Sequence, residues 1–274
     1  MRIYLIIILL SVIITTFSGF LKADRLESIK KLGIIRIAVF DSNPPFGFID
    51  PKSKKIVGYD IDIAKAIAKD FGVKIFLRST NPANRIALLK SGKVDLISAN
   101  FTITNERANQ VDFSIPDFRS QQKFIARKGV LKEINDIIPL RIGADKGTVQ
   151  EIILRERYPK TKVISYDDTP FAFSALRNGN VHAITQDDAK LIGLLGTLPE
   201  KIKADYEISS FSITCEYQAL VADKGEKKLI EAVNNTLLKL EHNGQADIIY
   251  NRWFGLNTKT ALSRGNFKFS VLNK

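Results

Sequence analysis

Cysteine, histidine, methionine and tryptophan are scarce in this sequence: one Cys (Cys215), two His, one Met and one Trp among 274 residues. A single thiol closes no intrachain disulfide, so the fold has to be held by its core alone. Blocks of like charge are also missing. The formal charge is +12, yet no basic block exceeds two in a row, as at Lys30-Lys31 and Lys227-Lys228. A nucleic-acid binder would cluster such residues with aromatics on one element. No nucleic-acid partner is expected, and the charge reads as a solvated basic surface attracted to anionic membrane faces.

An apolar run of the roughly 20 residues that a permanent membrane anchor needs is absent too. The longest, residues 3–14, follows Met1-Arg2 and precedes Ala23 and the charged Asp24-Arg25. A short basic start, an apolar stretch and a small residue before a charged segment describe a cleavable secretory signal over 1–23. Ser18 is a second candidate for the cleavage site. No cysteine follows the apolar run to take a lipid. The expectation is a soluble periplasmic protein, not a lipoprotein, and a monomer.

What is present is ordinary globular composition, 45% hydrophobic and 26% charged, with ample length for a core. Strand and helix patterns alternate almost throughout, the mark of an α/β protein with largely parallel sheets. Strands are expected over 34–39, 73–77 and 94–99. The first is followed by a proline-rigid loop, a hairpin excursion over 52–57 and a helix over 58–71. Asn81-Pro82 is expected to open a helix running to Lys90. Phe113-Ser-Ile-Pro-Asp-Phe breaks the pattern before an extended segment over 121–127.

A second series has strands over 141–144, 163–166 and 181–185, each leading into a helix. Extended runs over 208–213 and 217–221, two helices over 227–242 and 246–254, and an irregular tail complete the chain. Two series suggest two lobes, with the last helices packing back on the first. That requires two connecting segments, and two connections make a hinge. The expected division is 24–123 plus 222–274 for one lobe and 124–221 for the other.

In open α/β sheets ligands sit outside the carboxyl ends of the strands. There this sequence places residues 40–46, the polar elbow 100–107, Gly147-Thr148-Val149 and Asp187. Arg107 brings a planar fork suited to a carboxylate, Asn100 and Thr102 bring donors, and the turn at 147–149 brings free amides at a helix start. Asp187 brings an anion. A zwitterionic amino acid needs such a set. Each residue has a second reading: Asp187 as a helix cap, Arg85 as a solvated surface charge, Tyr59 as core at a helix edge, and 147–148 as an ordinary turn.

Gly58-Tyr-Asp-Ile-Asp-Ile-Ala-Lys-Ala-Ile-Ala resembles the signature helix of the family 3 extracellular solute-binding proteins, which deliver polar amino acids to ABC transporters. Ser91-Gly-Lys-Val-Asp-Leu-Ile, Phe101-Thr-Ile-Thr-Asn-Glu-Arg107, Lys146-Gly-Thr148 and Ile248-Ile-Tyr-Asn-Arg-Trp-Phe-Gly255 are similar to its other landmarks, in order, from about residue 32 to 255. The resemblance implies a two-lobed periplasmic-binding-protein fold (type II) joined by a two-segment hinge. Its partners would be a free L-amino acid and an inner-membrane permease, and no cofactor, metal or catalytic residue is expected.

By the same resemblance Arg107, helped by Asn100 and Thr102, takes the ligand α-carboxylate. Thr148 and Val149 reach the same group, and Asp187 takes the α-ammonium. Tyr59 and Asn43 match positions that flank the ligand side chain and are often both aromatic, a pattern from which Asn43 departs. Arg85 matches a side-chain-carboxylate arginine of acidic-amino-acid binders, which usually carry a second basic residue where Phe40 stands. Phe40, Asn84-Arg85 and Asn100-Phe101-Thr102 also resemble the cysteine-binding members. The implied ligand is acidic or cysteine-like. The rival is a cyclohexadienyl (prephenate or arogenate) dehydratase on the same fold, but no catalytic constellation emerges, because His182 and His242 read as structural.

Overall fold

A computed structural model describes residues 24–271, so the signal segment expected over 1–23 lies outside the described residues. α1 (Arg25–Leu32) starts on an Asp24 cap and leads into β1 (Ile34–Val39). The excursion that follows is a small antiparallel sheet of β2 (Ser42–Asn43), β3 (Gly47–Ile49) and β4 (Ile56–Val57). The first series is completed by α2 (Tyr59–Asp70), β5 (Lys74–Ser79), α3 (Arg85–Lys90), β6 (Leu96–Ile97), α4 (Asn105–Ala108) and β7 (Val111–Arg127). The second series comprises β8 (Arg141–Asp145), α5 (Val149–Arg157), β9 (Lys162–Tyr166), α6 (Thr169–Arg177), β10 (Ala183–Asp187), α7 (Asp188–Gly196) and α8 (Glu200–Lys203). The chain then runs through β11 (Tyr206–Ile208), β12 (Thr214–Asp223), α9 (Lys227–His242) and α10 (Gln245–Phe254).

The large sheet has the order β5-β1-β6-β12-β7-β10-β8-β9, with β11 also on β7. β5, β1 and β6 are mutually parallel, as are β10, β8 and β9. These two parallel trios form the cores of two lobes. Between them lie β12 and the 17-residue β7, antiparallel to each other along most of their length. Two strands crossing from lobe to lobe are the expected two-segment connection.

Apolar spacing explains the helices. On α2, Ile63, Ala64, Ile67 and Ala68 recur at helical intervals and all are buried. Gly58 precedes α2 at φ 144°, where a Cβ would lie 2.1 Å from the Phe46 carbonyl oxygen, so only glycine lets the chain pass there. Leu229, Val233 and Leu237 of α9 and Ile249, Tyr250 and Phe254 of α10 join the core of the first lobe, as expected.

Three local expectations are corrected. Asn81-Pro82 does not open α3: the Asn81 side chain accepts from the Asn84 amide at 3.0 Å, closing a turn, and the helix starts at Arg85. The third strand is shortened to Leu96–Ile97. The Phe113–Phe118 stretch is not a break, because β7 runs straight through Pro116. Proline cannot donate to a ladder, and β12 answers with register shifts around Ala219, the residue opposite. The tail is irregular, as expected, and it packs on the first lobe: Phe267 and Phe269 are buried in the first core, and Arg264 pairs with Glu241 and Asp247.

Candidate functional site

The carboxyl ends of β1, β6, β8 and β10 bring most of the expected residues together. β6 leads into Asn100, whose φ of 44° is a left-handed turn that asparagine tolerates better than most residues. That turn aims the Asn100 side chain at Gln218 Oε1, to which it donates at 2.8 Å, and leaves its carbonyl accepting from Arg85 at 3.0 Å. Thr102 follows, donating to Glu216 Oε2 at 2.9 Å. Arg107, on α4, is 7% exposed. Its Nη1 donates to the Thr102 carbonyl at 3.0 Å and its Nη2 reaches across to the Gly147 carbonyl of the second lobe at 3.1 Å.

From the second lobe, Thr148 caps α5, accepting from the Glu151 amide at 3.3 Å, and Val149 opens that helix. Asp187 ends β10 and is 2% exposed. Its Oδ1 accepts from Ser120 at 3.1 Å and Gln150 at 2.7 Å, and its Oδ2 accepts from Gln218 at 2.8 Å. The reading of Asp187 as a mere helix cap fails, since its side chain caps no amide of α7. Gln150 also donates to Glu216 at 3.0 Å. An unbroken chain of hydrogen bonds therefore links Arg107 to Asp187 through Thr102, Glu216 and Gln150.

The lobes meet elsewhere too. Ser42 donates to Asp168 at 2.9 Å, beside a cleft of about 570 Å³ that these two residues line with Arg78 and Asn84. The Gly193 backbone lies against Pro44: a Cβ there would be 1.9 Å from the Pro44 carbonyl oxygen.

Arg85 is 2% exposed, which removes its reading as a surface charge. Its Nη1 donates to the Ala99 and Asn100 carbonyls, and its Cζ lies 4.3 Å from the Phe101 ring centroid and 5.6 Å from that of Phe40. Phe40 is fully buried. Asn43 is buried in β2 beside Ser42. Tyr59 is the exception and is corrected: it does not join this group. Its ring packs among Phe46, Phe118, Tyr250 and Phe254, and its hydroxyl donates to the Asp117 carbonyl at 2.7 Å. Core packing has claimed it.

Several residues of the site were not anticipated: Ser120, Gln150, Lys190, Glu216 and Gln218. β12 carries a signal for two of them, because buried Glu216 and Gln218 alternate with Cys215 and Tyr217. Polar residues on the inward register of a strand mark a site rather than a core. Lys190 follows Asp187 by three residues, on the first turn of α7.

Burial dominates the electrostatics. It pushes the Glu216 carboxyl up to about 7, with Asp187 adding to the shift and Thr214 and Thr102 opposing it through hydrogen bonds. It also pushes Asp60 up to about 7, against the Asn100 amide, which donates to it. Asp187 is raised by burial and lowered by Lys190. Arg107 is brought down to about 10 and stays a cation at neutral pH. Asn43 Oδ1, Arg85 Nε, Asn100 Oδ1 and Asp145 Oδ1 are buried without a hydrogen-bond partner. Such atoms are rare in a core.

Neither histidine is hydrogen-bonded to these groups among the described residues. His182 Nδ1 accepts from the Arg141 amide at 3.0 Å, and His242 is exposed at the end of α9. Among the described residues no cluster of three or more His, Cys, Asp or Glu could hold a metal ion. What remains is a buried box of opposed charges and amide groups, suited to holding a small zwitterion.

The model for bacterial extracellular solute-binding proteins, family 3, matches residues 35–256. The chain is 32% identical over 237 residues to the ABC transporter glutamine-binding protein GlnH of Bacillus subtilis, covering 85% of each. It superposes on the cysteine-binding protein from Campylobacter jejuni with a TM-score of 0.81 and 30% identity, covering 88% of this chain and 97% of that one. It also resembles the ancestral amino acid-binding protein AncCDT-1, a precursor of cyclohexadienyl dehydratase, with a TM-score of 0.75 and 29% identity, over 85% of this chain and all of that one. The fold is thus the expected type II periplasmic-binding-protein architecture.

Proposed function

Because the chain belongs to the bacterial extracellular solute-binding proteins of family 3, we propose that it captures a polar L-amino acid between its lobes. It then delivers that ligand to the permease of an ABC transporter. The ligand is acidic or cysteine-like. The protein works in the periplasm, as a monomer, after removal of its signal segment. Closure turns on β7 and β12, between a lobe of residues 24–123 plus 222–274 and a lobe of residues 124–221.

One observation carries this reading: Arg107 and Asp187, from opposite lobes, are buried in the same hydrogen-bonded network. Arg107 commits two donors to carbonyls and keeps others for a carboxylate, which two parallel bonds would grip. Thr148 and the Val149 amide stand at the start of α5, where a negative group is favoured. Asp187, held by Ser120, Gln150 and Gln218, retains one lone pair, on Oδ2, for an ammonium.

Closure supplies the energy. Exposed ion pairs contribute roughly 0–1 kcal/mol, whereas micromolar binding needs about 8 kcal/mol, so the charges must be gripped away from water. A thermal-shift screen of the twenty amino acids and cystine tests the reading. A true ligand at about 100 times its dissociation constant stabilises by about 2.7 kcal/mol, and no response to any of them rejects it. Turnover of prephenate or arogenate would favour the dehydratase instead.

A further inference from the structure

Two buried carboxylates of the site share one donor. Gln150 Nε2 donates to Asp187 Oδ1 at 2.7 Å and to Glu216 Oε2 at 3.0 Å. Asp187 ends β10 of the second lobe, whereas Glu216 stands on β12, the returning connection between the lobes. By strand alternation Glu216 and Gln218 share a face of β12, and a bridge from Thr102 to Gln218 lays the 100–102 elbow alongside them. Across that bridge Asn100 bonds Gln218 and Thr102 bonds Glu216. Asp187 and Gln150 meet this polar face from the second lobe.

The lone pairs that stay open decide what the face can still take. Asp187 has one, on Oδ2. Glu216 has one as well: Oε2 accepts from Thr102 and Gln150, but Oε1 accepts only from Thr214, at 2.9 Å. Asn100 turns its amide nitrogen to Gln218 and buries Oδ1 without a partner. All three open places are acceptors, which repel a carboxylate and suit the three donors of an ammonium. The Gln150 amide shows that one nitrogen reaches both carboxylates at once. Of the charged groups around Glu216, Asp187 disfavours its ionised form and Arg107 favours it. Lys190 and Asp188 act on Asp187, for and against its charge.

We propose that Glu216 is a second carboxylate for the ligand's ammonium, so that an α-amino group is gripped between Glu216 and Asp187 and not by Asp187 alone. This rests on the reading of Arg107 and Asp187 as the clamp for the α-groups. A ligand carboxylate on Arg107 carries its ammonium on the adjacent carbon. Glu216 is close by, since Arg107 donates to the Thr102 carbonyl and the Thr102 hydroxyl donates to Glu216. Burial makes the Glu216 carboxyl titrate at about 7. A cation beside it draws the proton off, and an anion beside it takes a proton up. Capture of an amino acid therefore releases a proton and tightens as pH rises. The sign of the exchange reports which end of the zwitterion Glu216 meets.

Calorimetry at pH 7 in two buffers of unlike ionisation enthalpy, on the mature protein and Glu216→Gln, tests the assignment. The probe is whichever of the twenty L-amino acids most raises the wild-type melting temperature. Wild type should release about 0.3–0.5 of a proton per ligand more than Glu216→Gln, because a group titrating near 7 is half protonated there. At pH 8 Glu216→Gln should bind at least about tenfold more weakly than wild type, as for a lost hydrogen bond to a charged group. Proton uptake, no exchange, equal release by the variant, or variant affinity within about threefold at pH 8 would overturn the assignment and leave Glu216 a staple between strands. Should Glu216→Gln not fold, the wild-type sign alone decides. A wild type that binds with the wrong sign loses only Glu216, whereas one that no amino acid stabilises loses the clamp itself.

Discussion

Gln218 Nε2 donates to Asp187 Oδ2 at 2.8 Å, tying the returning connection between the lobes to the carboxylate at the end of β10. The same side chain accepts from Asn100 at 2.8 Å, so one glutamine on β12 holds groups from both parallel trios. The proposed binding groups and the connection between the lobes are therefore one network. Rotating one lobe against the other has to break or remake bonds to the groups proposed to grip the ligand.

Gln218→Leu should expose this coupling as a loss of stability. It leaves Asp187 short of a donor and Asn100 short of an acceptor, both buried. An unsatisfied buried group costs roughly 1–3 kcal/mol. Denaturant unfolding of the ligand-free variant should show a drop of about that size, and an unchanged midpoint would deny the glutamine its bridging role.

Gly193→Ala should separate closure from folding. Alanine favours a helix over glycine by up to about 1 kcal/mol, so α7 should still form and the variant should keep the wild-type circular dichroism spectrum. Closing the lobes would drive the new Cβ to within 1.9 Å of the Pro44 carbonyl oxygen. Ligand affinity should fall at least tenfold, and scattering should show that ligand no longer compacts the molecule.

Proton linkage gives a third expectation. The Glu216 carboxyl ordinarily titrates near 4.5 and is raised to about 7 in the folded chain. Between those values the folded form holds a proton that the unfolded form has released. This contribution to stability is complete below 4.5 and is lost as pH rises through 7. Asp60, also raised to about 7, acts in the same direction. Ligand-free protein should melt at lower temperature at pH 7.5 than at pH 5, and Glu216→Gln should flatten that slope. A melting temperature that rises across this window would contradict the burial of these carboxyls.

Arg264 fastens the tail. It lies over the Tyr250, Phe267 and Phe269 rings while pairing with Glu241 and Asp247. Arg264→Ala should cost roughly 1–3 kcal/mol in thermal unfolding and leave ligand affinity within about twofold, since Arg264 pairs with Glu241 and Asp247 and bonds to neither Arg107 nor Asp187.

Much of this was legible in the sequence because period and position speak for themselves. The apolar spacing of α2, the parallel trios and the placing of Arg107 and Asp187 at strand ends follow from local pattern. Pro116 misled because proline normally ends a strand, and only the register shifts in β12 let β7 continue. Tyr59 misled because a residue at a helix start near the strand ends can turn either way, and the aromatic cluster around Phe46 and Phe118 turned it inward. Lys190 was passed over because a lysine on a helix is usually solvated. Its burial depends on the lobe opposite, which no local pattern encodes.

The central claim is that Arg107 holds the carboxylate every amino acid shares. Calorimetric titration of wild type and Arg107→Ala with the amino acid that most stabilises the wild type tests it. The account predicts measurable wild-type affinity and none for Arg107→Ala, with circular dichroism showing the variant folded. A folded Arg107→Ala that binds as tightly as wild type would contradict it.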